Sequence, residues 1–221
     1  DIEKAKSLFL SFTNDDILET TKYGQVIQKN GTGSIIYING VKVAQEDNFL
    51  FSYNITLLNS QIKKALNRER TNVGRSAYTS RIKDILLSCD SEEVIEELVY
   101  DLQNYTSGDK HDELSWNDVA IYASKKLSQI DSTTTFVTAQ QAIDTPSIID
   151  DMRRKGQNPI VVSDSLVNKM DQYNDTAENG DTLTTVRQYI EDEKSKFSPT
   201  VVDISELTLN ERNIYNKTSD I

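Results

Sequence analysis

Asn39-Gly40 stands between two runs of strand-forming residues, Ser34 to Asn39 and Val41 to Ala44. A two-residue hairpin turn of type I′ needs positive φ at both central positions, which Asn-Gly tolerates better than most pairs. A turn this short forces its flanking strands to pair with each other. Gln25 to Ile27 and the aromatic-rich Asn48 to Ile55 read as further strands, and Asn30-Gly31-Thr32-Gly33 as a turn. Gly-Thr-Gly can let a backbone approach phosphate, but a hairpin loop is the simpler reading. Upstream, Asp1 to Phe12 reads as a helix with Leu8, Phe9 and Phe12 on one face. Asp15 to Thr21 reads as a second short helix, capped by Asn14 or Asp15 and broken at Tyr23-Gly24.

After the strands the apolar period changes to that of helices. Leu57 to Arg70 carries the stripe Leu58, Ile62, Ala65 and Leu66, and Asn59 or Ser60 can cap a shorter version. Gly74 offers a left-handed turn, and a helix from about Ser76 to Ser88 turns Tyr78, Ile82, Ile85 and Leu86 inward. Asp90-Ser91-Glu92-Glu93 forms a capping pattern before a helix from Glu92 to Tyr105. Thr106 to Leu114 is a polar loop containing His111. Ser115 to Asp118 opens a helix to about Gln129, with Trp116, Val119, Ala120, Ala123 and Leu127 as core positions.

At Asp131 the character changes again. Strands at Thr133 to Ala139, Asn158 to Ser163 and Thr200 to Ile204 alternate with helices, one from Pro146 to Gly156 and one from Asp181 to Phe197. Lys169 to Asp181 reads as a mobile loop or frayed helix, and the tail from Glu206 as a short helix. Continuous apolar strands in a β-α-β-α-β order imply a small parallel sheet covered by helices. The fold class is α/β: an α+β part over 1–130 with hairpin strands and several helices, then a small Rossmann-like α/β subdomain over 131–221.

Charge and rare residues narrow the chemistry. With 24 basic and 35 acidic residues the net charge is -11, which argues against indiscriminate DNA or anionic-membrane binding. A single cysteine, Cys89, allows no internal disulfide. It ends an apolar helical run, so a core position is favoured over a reactive thiol. With one histidine, His111, and one cysteine, the common structural zinc sites cannot be built. A Ser-His-Asp triad would have to use His111, and nothing else supports one. No apolar run approaches the roughly 20 residues that span a bilayer. The sequence opens in apparent mid-helix without a secretory signal, so it reads as a cytoplasmic piece of a longer chain. The triplets at Asn54, Asn174 and Asn216 that fit the glycosylation pattern are discounted for the same reason.

One basic island runs against the acidic background. Gln61 to Lys83 holds Lys63, Lys64, Arg68, Arg70, Arg75, Arg81 and Lys83 against one acid, Glu69. A helix end, a turn and a new helix start lie side by side there. Free N–H groups flanked by Arg68, Arg70 and Arg75 would bind an anion such as phosphate. Alternatively, these arginines pair with acids elsewhere in the protein, or the island is simply a well-charged helix end. In the C-terminal unit, ligands would sit beyond the carboxyl ends of the strands, near Thr138, Ser163, Asp164 and Asp203. Asp164 and Asp203 are candidate Mg²⁺ ligands, though capping the next helix is the favoured reading.

The runs IYINGVKVAQEDNFLFSYNIT and IKKALNRERTNVGRSAYTSRIKDIL resemble bacterial and phage ATP-binding proteins whose N-terminal domain is of the GHKL type. That nucleotide fold is shared by gyrase, MutL, Hsp-ninety chaperones and sensor kinases. FVTAQQAIDTPSIIDDMRRKGQNPIVV and the LTLNER tail resemble the regions that follow in the same group. The Asn/Glu helix, Asp-x-Gly-x-Gly motif and Gly-rich lid of GHKL domains are absent here. The resemblance therefore implies the part C-terminal to them, including a transducer-like segment, with ATP and Mg²⁺ bound by the complete protein. It further implies that Lys64, Arg68, Arg70 or Arg75 senses the terminal phosphate. The expected partner is the missing ATPase domain, and a homodimer is a further option. Two other readings stand beside this one. A nucleic-acid-binding module would use the island with Tyr53 and Tyr78, and a stand-alone Mg²⁺-dependent enzyme would use Asp164 and Asp203.

Overall fold

The computed structural model describes residues 2–68, 73–104, 110–177, 182–196 and 203–219. The chain opens with α1 (Ile2–Lys6) and a 3-10 turn at Leu10–Phe12. The strands β1 (Ile17–Thr20), β2 (Gly24–Ile27), β3 (Ser34–Ile38), β4 (Val41–Glu46) and β5 (Ser52–Ile55) follow. They form one sheet in the order β1-β2-β5-β3-β4, in which β5 runs antiparallel to β2 and parallel to β3. The Asn39-Gly40 turn forms as read, with φ of 49° and 78° and Ile38 paired to Val41.

Two upstream expectations fail for tertiary reasons. Asp1 to Phe12 is not one helix. Phe9 bridges Val41, the Lys42 amide donates to the Leu8 carbonyl, and the Leu10 amide donates to the Gly40 carbonyl. This segment covers part of the open edge of β4, which sheets rarely leave bare. The expected helix at 15–21 is instead β1, paired to β2 from Ile17–Ile27 to Thr20–Gln25. Seven residues hold a helix poorly on their own. As a strand, the segment also sends Glu19 to accept from the Asp90 and Ser91 amides at 2.8 and 3.0 Å. Glu19 thereby serves the start of the next helix, where the Ser91 side chain makes no capping bond.

Gly24 is required by packing. A Cβ there would lie 2.2 Å from the Asn54 carbonyl oxygen and 2.8 Å from the Ile85 side chain. The helices α2 (Ser60–Arg68), α3 (Arg75–Leu86), α4 (Glu92–Gln103) and α5 (Asn117–Ile130) come next. The shorter α2 is the one that forms, with Asn59 accepting from the Ile62 amide at 2.9 Å. Gly74 caps α3 in extended backbone (φ -63°), so the left-handed turn is not used. Ile62, Tyr78, Ile82, Ile85, Val94, Leu98, Val119, Ala123 and Leu127 join Val26, Ile36, Tyr53 and Ile55 in one core.

The C-terminal part runs β6 (Thr134–Thr138), α6 (Ala139–Asp144), α7 (Pro146–Arg154), β7 (Asn158–Val162), α8 (Asp164–Thr176), α9 (Val186–Lys196) and α10 (Leu209–Ser219). β6 and β7 pair in parallel, giving the small parallel sheet of an α/β protein. Pro146 sits in the first turn of α7, and Gly156 adopts φ 82° just past its end. The polar run from Lys169 is helical as far as Thr176. Leu166, Val167 and Met170 bury one face of α8, and Asn174 ties its end to both backbone groups of Leu183. Of the expected third strand, 200–202 lie outside the described residues, and Asp203 caps a 3-10 turn at Ile204–Glu206.

Alternation along β6 gives the small sheet two apolar faces. Phe136 and Val162 point into the large core, alongside Leu166, Val167 and Met170. Val137 points the other way, to Ile149, Met152, Val186 and Tyr189. Full burial of a side chain such as Phe136 stabilises by about 1.5–3 kcal/mol. The large core thus contains residues from both sides of position 130. No helix among the described residues is long and apolar enough to cross a membrane.

Candidate functional site

The structure divides the basic island into two halves. Lys63 and Lys64 are exposed on α2. Arg68 is the last residue of that helix; its side chain, and the whole of Arg70, lie outside what is described. Arg75 is the first residue of α3 and already has two acidic partners. Its guanidinium lies 3.3 Å from Glu46 at the end of β4 and 2.7 Å from Asp112. It also stacks over Phe49, 4.6 Å from the ring centroid. Arg81 pairs with Asp84 and Lys83 with Asp118. For the α3 half of the island, pairing with the protein's own acids is therefore the reading realised.

Next to Asp112 lies a group that sequence reasoning missed. The segment between α4 and α5, read as a polar loop, ends in a 3-10 turn at Asp112–Ser115 that buries Glu113 completely. Glu113 accepts from the Leu50 amide at 2.9 Å, the Phe51 amide at 3.4 Å and the Tyr53 hydroxyl at 2.8 Å. Asn48 joins the same contact: its side chain donates to Asp112 at 2.9 Å, and its carbonyl accepts from the Asp112 amide. This explains why the expected strand at 48–55 is regular only from Ser52: residues 48–51 wrap the turn instead. Burial pushes the Glu113 carboxyl up to about 7, against the opposing hydrogen bonds from Leu50, Tyr53 and Phe51. Burial also pushes Asp112 up, but hydrogen bonds from Asn48 and Arg75 and the Arg75 charge outweigh it and hold Asp112 below 3.8. The one available sequence signal was the placement of Glu113 directly before Leu114 and Trp116, which both enter the core.

The tyrosines proposed as stacking platforms for nucleic acid are not available for that role. Tyr53 and Tyr78 are 0% and 1% exposed, with hydroxyls bound to Glu113 and Glu46. Cys89 is buried, and burial pushes its thiol up, as fits a core position. His111 contacts Asp101 at 2.9 Å through Nδ1.

At the carboxyl ends of the small sheet, the expected ligand-binding residues act as caps. Thr138 forms a capping box with Gln141 on α6, Ser163 caps α8, and Asp203 caps the 3-10 turn through Ser205. Asp164 is exposed in the first turn of α8. No group of three or more His, Cys, Asp or Glu side chains is placed to hold a metal ion among the described residues. A groove of about 470 Å³ lies between α7 and α9, away from these positions. Its Lys155 is paired to Asp151 and Glu193.

Comparison with known proteins covers part of the chain. Two uncharacterised proteins of Mycoplasma pneumoniae (strain ATCC 29342 / M129) are similar. One is 42% identical over 89 residues, 40% of this chain and 36% of the relative. The other is 33% identical over 114 residues, 49% of this chain and 32% of the relative. The matched segment thus amounts to about a third of the length of these curated relatives. No solved structure matches the chain. Residues 1–92, which take in the five-stranded sheet, α2 and α3, are similar to the family described as the Mycoplasma pneumoniae MPN635 N-terminal domain.

Proposed function

We propose that this chain is the part of a GHKL-type ATPase that carries nucleotide state away from a separate ATP-binding domain. The exposed Lys64 of α2 would face the terminal phosphate. The observation that supports this is the divided island: Arg75, Arg81 and Lys83 have acidic partners within the fold, while Lys63 and Lys64 stand exposed. A cation that touches only the terminal phosphate gains a partner when ATP binds and loses it on hydrolysis. Lys64, Arg68 and Arg70 are assigned that role. Arg75 is a positioning residue that ties the start of α3 to Glu46 and Asp112.

ATP and Mg²⁺ belong to the partner domain in this reading, and the chain alone does not hydrolyse ATP. A cytoplasmic location follows from the same reading, and a homodimer is compatible with it. The test is ATP turnover by the complete natural polypeptide carrying Lys64→Ala, Arg68→Ala or Arg70→Ala. Loss of a stabilising cation should slow turnover on the order of 100-fold, with nucleotide binding retained. Unchanged turnover in all three removes the phosphate-sensing role, and no ATP binding by the complete polypeptide removes the family reading. Salt-sensitive DNA binding by this chain would instead favour a nucleic-acid module.

A further inference from the structure

We propose that Glu113 is a protonation-linked latch between the 48–53 segment and the turn that joins α4 to α5, tighter when its carboxyl is neutral. This does not depend on the ATPase reading.

The geometry is unusual for a carboxylate. Glu113 is 0% exposed, and among the described residues its hydrogen-bond partners are the Leu50 and Phe51 amides, its own amide and the Tyr53 hydroxyl, with no cation. Arg75, the guanidinium near this turn, is bound to Glu46 and Asp112. An ionised Glu113 therefore satisfies these donors but carries a desolvated charge with no opposite charge against it among the described residues. A neutral Glu113 sheds that charge but gains a hydroxyl that needs an acceptor. The oxygen in reach is Tyr53 Oη, 2.8 Å away, which can accept once its own proton turns aside. The two protonation states thus favour different arrangements of the same contact. That contact spans about 60 residues of sequence, joining β5 and its approach to the helical layer.

The surrounding groups set the background. Tyr53 faces Glu113 from β5, with Cys89 beyond it. Lys110, His111 and Asp112 come from Glu113's own segment. Asp101 at the end of α4 takes His111, Arg75 of α3 takes Asp112, and Asp118 at the start of α5 takes Lys83. The Glu113 carboxyl lies at about 7, against an ordinary 4.5, with burial as the main cause. A raised value in the folded state means that folding takes up a proton between those two points. The latch contribution is complete below 4.5 and is lost as pH rises through about 7.

The test uses the 221-residue chain and two readouts. The first is the folding equilibrium from urea titration between about pH 5 and about pH 8. Wild type should weaken by up to about tenfold per pH unit as far as pH 7 and then level off, with Glu113→Gln losing that slope. The second is the infrared band of a protonated carboxyl. It should persist near pH 6 in wild type and be missing from Glu113→Gln, which separates Glu113 from His111. Should Glu113→Gln fail to fold, Tyr53→Phe serves instead: removing the hydroxyl that donates to the ionised carboxyl and accepts from the neutral one should shift the band's midpoint. The proposal is overturned if wild type and Glu113→Gln share one pH slope, if the band is gone by about pH 5, or if Tyr53→Phe leaves the midpoint in place.

Discussion

Asp112 and Glu113 are adjacent in the chain, yet they occupy opposite electrostatic settings. Asp112 is partly exposed and meets a guanidinium and an amide side chain, which hold its carboxyl below 3.8. Glu113 points inward, meets only neutral donors among the described residues, and sits at about 7. A single turn of 3-10 helix sends one carboxyl to a cation and the other into the core. Residue type alone therefore says little about a carboxylate's role: the direction of one turn decides whether it is a surface partner or a buried titrating group.

The largest expected effect comes from deleting the buried side. Glu113→Ala leaves the Leu50 and Phe51 amides and the Tyr53 hydroxyl without their acceptor, and should cost about 3 kcal/mol in urea unfolding near pH 6. A loss no larger than that of the surface variants below would erase the contrast. Arg75→Ala removes two ion pairs and the contact over Phe49. Because Arg75 is 43% exposed, solvent screening limits the loss to about 1–2 kcal/mol in thermal unfolding.

Asp112→Asn should cost less than about 1 kcal/mol at neutral pH. Its more telling effect is on acid unfolding. A lowered carboxylate contributes stability above 3.8 that is lost as pH falls through its folded value, so Asp112→Asn should flatten the acid limb below 3.8 and leave the Glu113 slope untouched. Lys64→Ala, on an exposed face, should change stability by no more than about 0.5 kcal/mol. A larger loss would mean that Lys64 supports the fold and is not held in reserve for a ligand.

Local chemistry was legible in the sequence, and distant partnerships were not. Asn39-Gly40, the Asn59 cap, Pro146 and Gly156 each act through neighbours a few residues away, and each reads correctly. The apolar faces of α3, α4 and α5 follow from their period alone. β1 is not legible locally, because its stability comes from β2 and because Glu19 serves amides about 70 residues downstream. Glu113 was missed for the same reason: a lone acid in a polar run looks solvated until its partners at 50, 51 and 53 are known. The basic island was visible as a charge anomaly, but which of its cations are already paired depended on where Glu46, Asp112 and Asp118 come to rest.

The position of β5 has a consequence for how the chain is made. It is the last of the five sheet strands to leave the ribosome, yet it lies between β2 and β3. Until residues 52–55 emerge, β1–β2 and β3–β4 are two separate ribbons, each with an inner border waiting for the same strand. Early synthesis therefore exposes adhesive borders that one short segment must close. Nascent chains stalled before residue 52 should be open to mispairing, and those stalled well after it should resist proteolysis across the whole sheet.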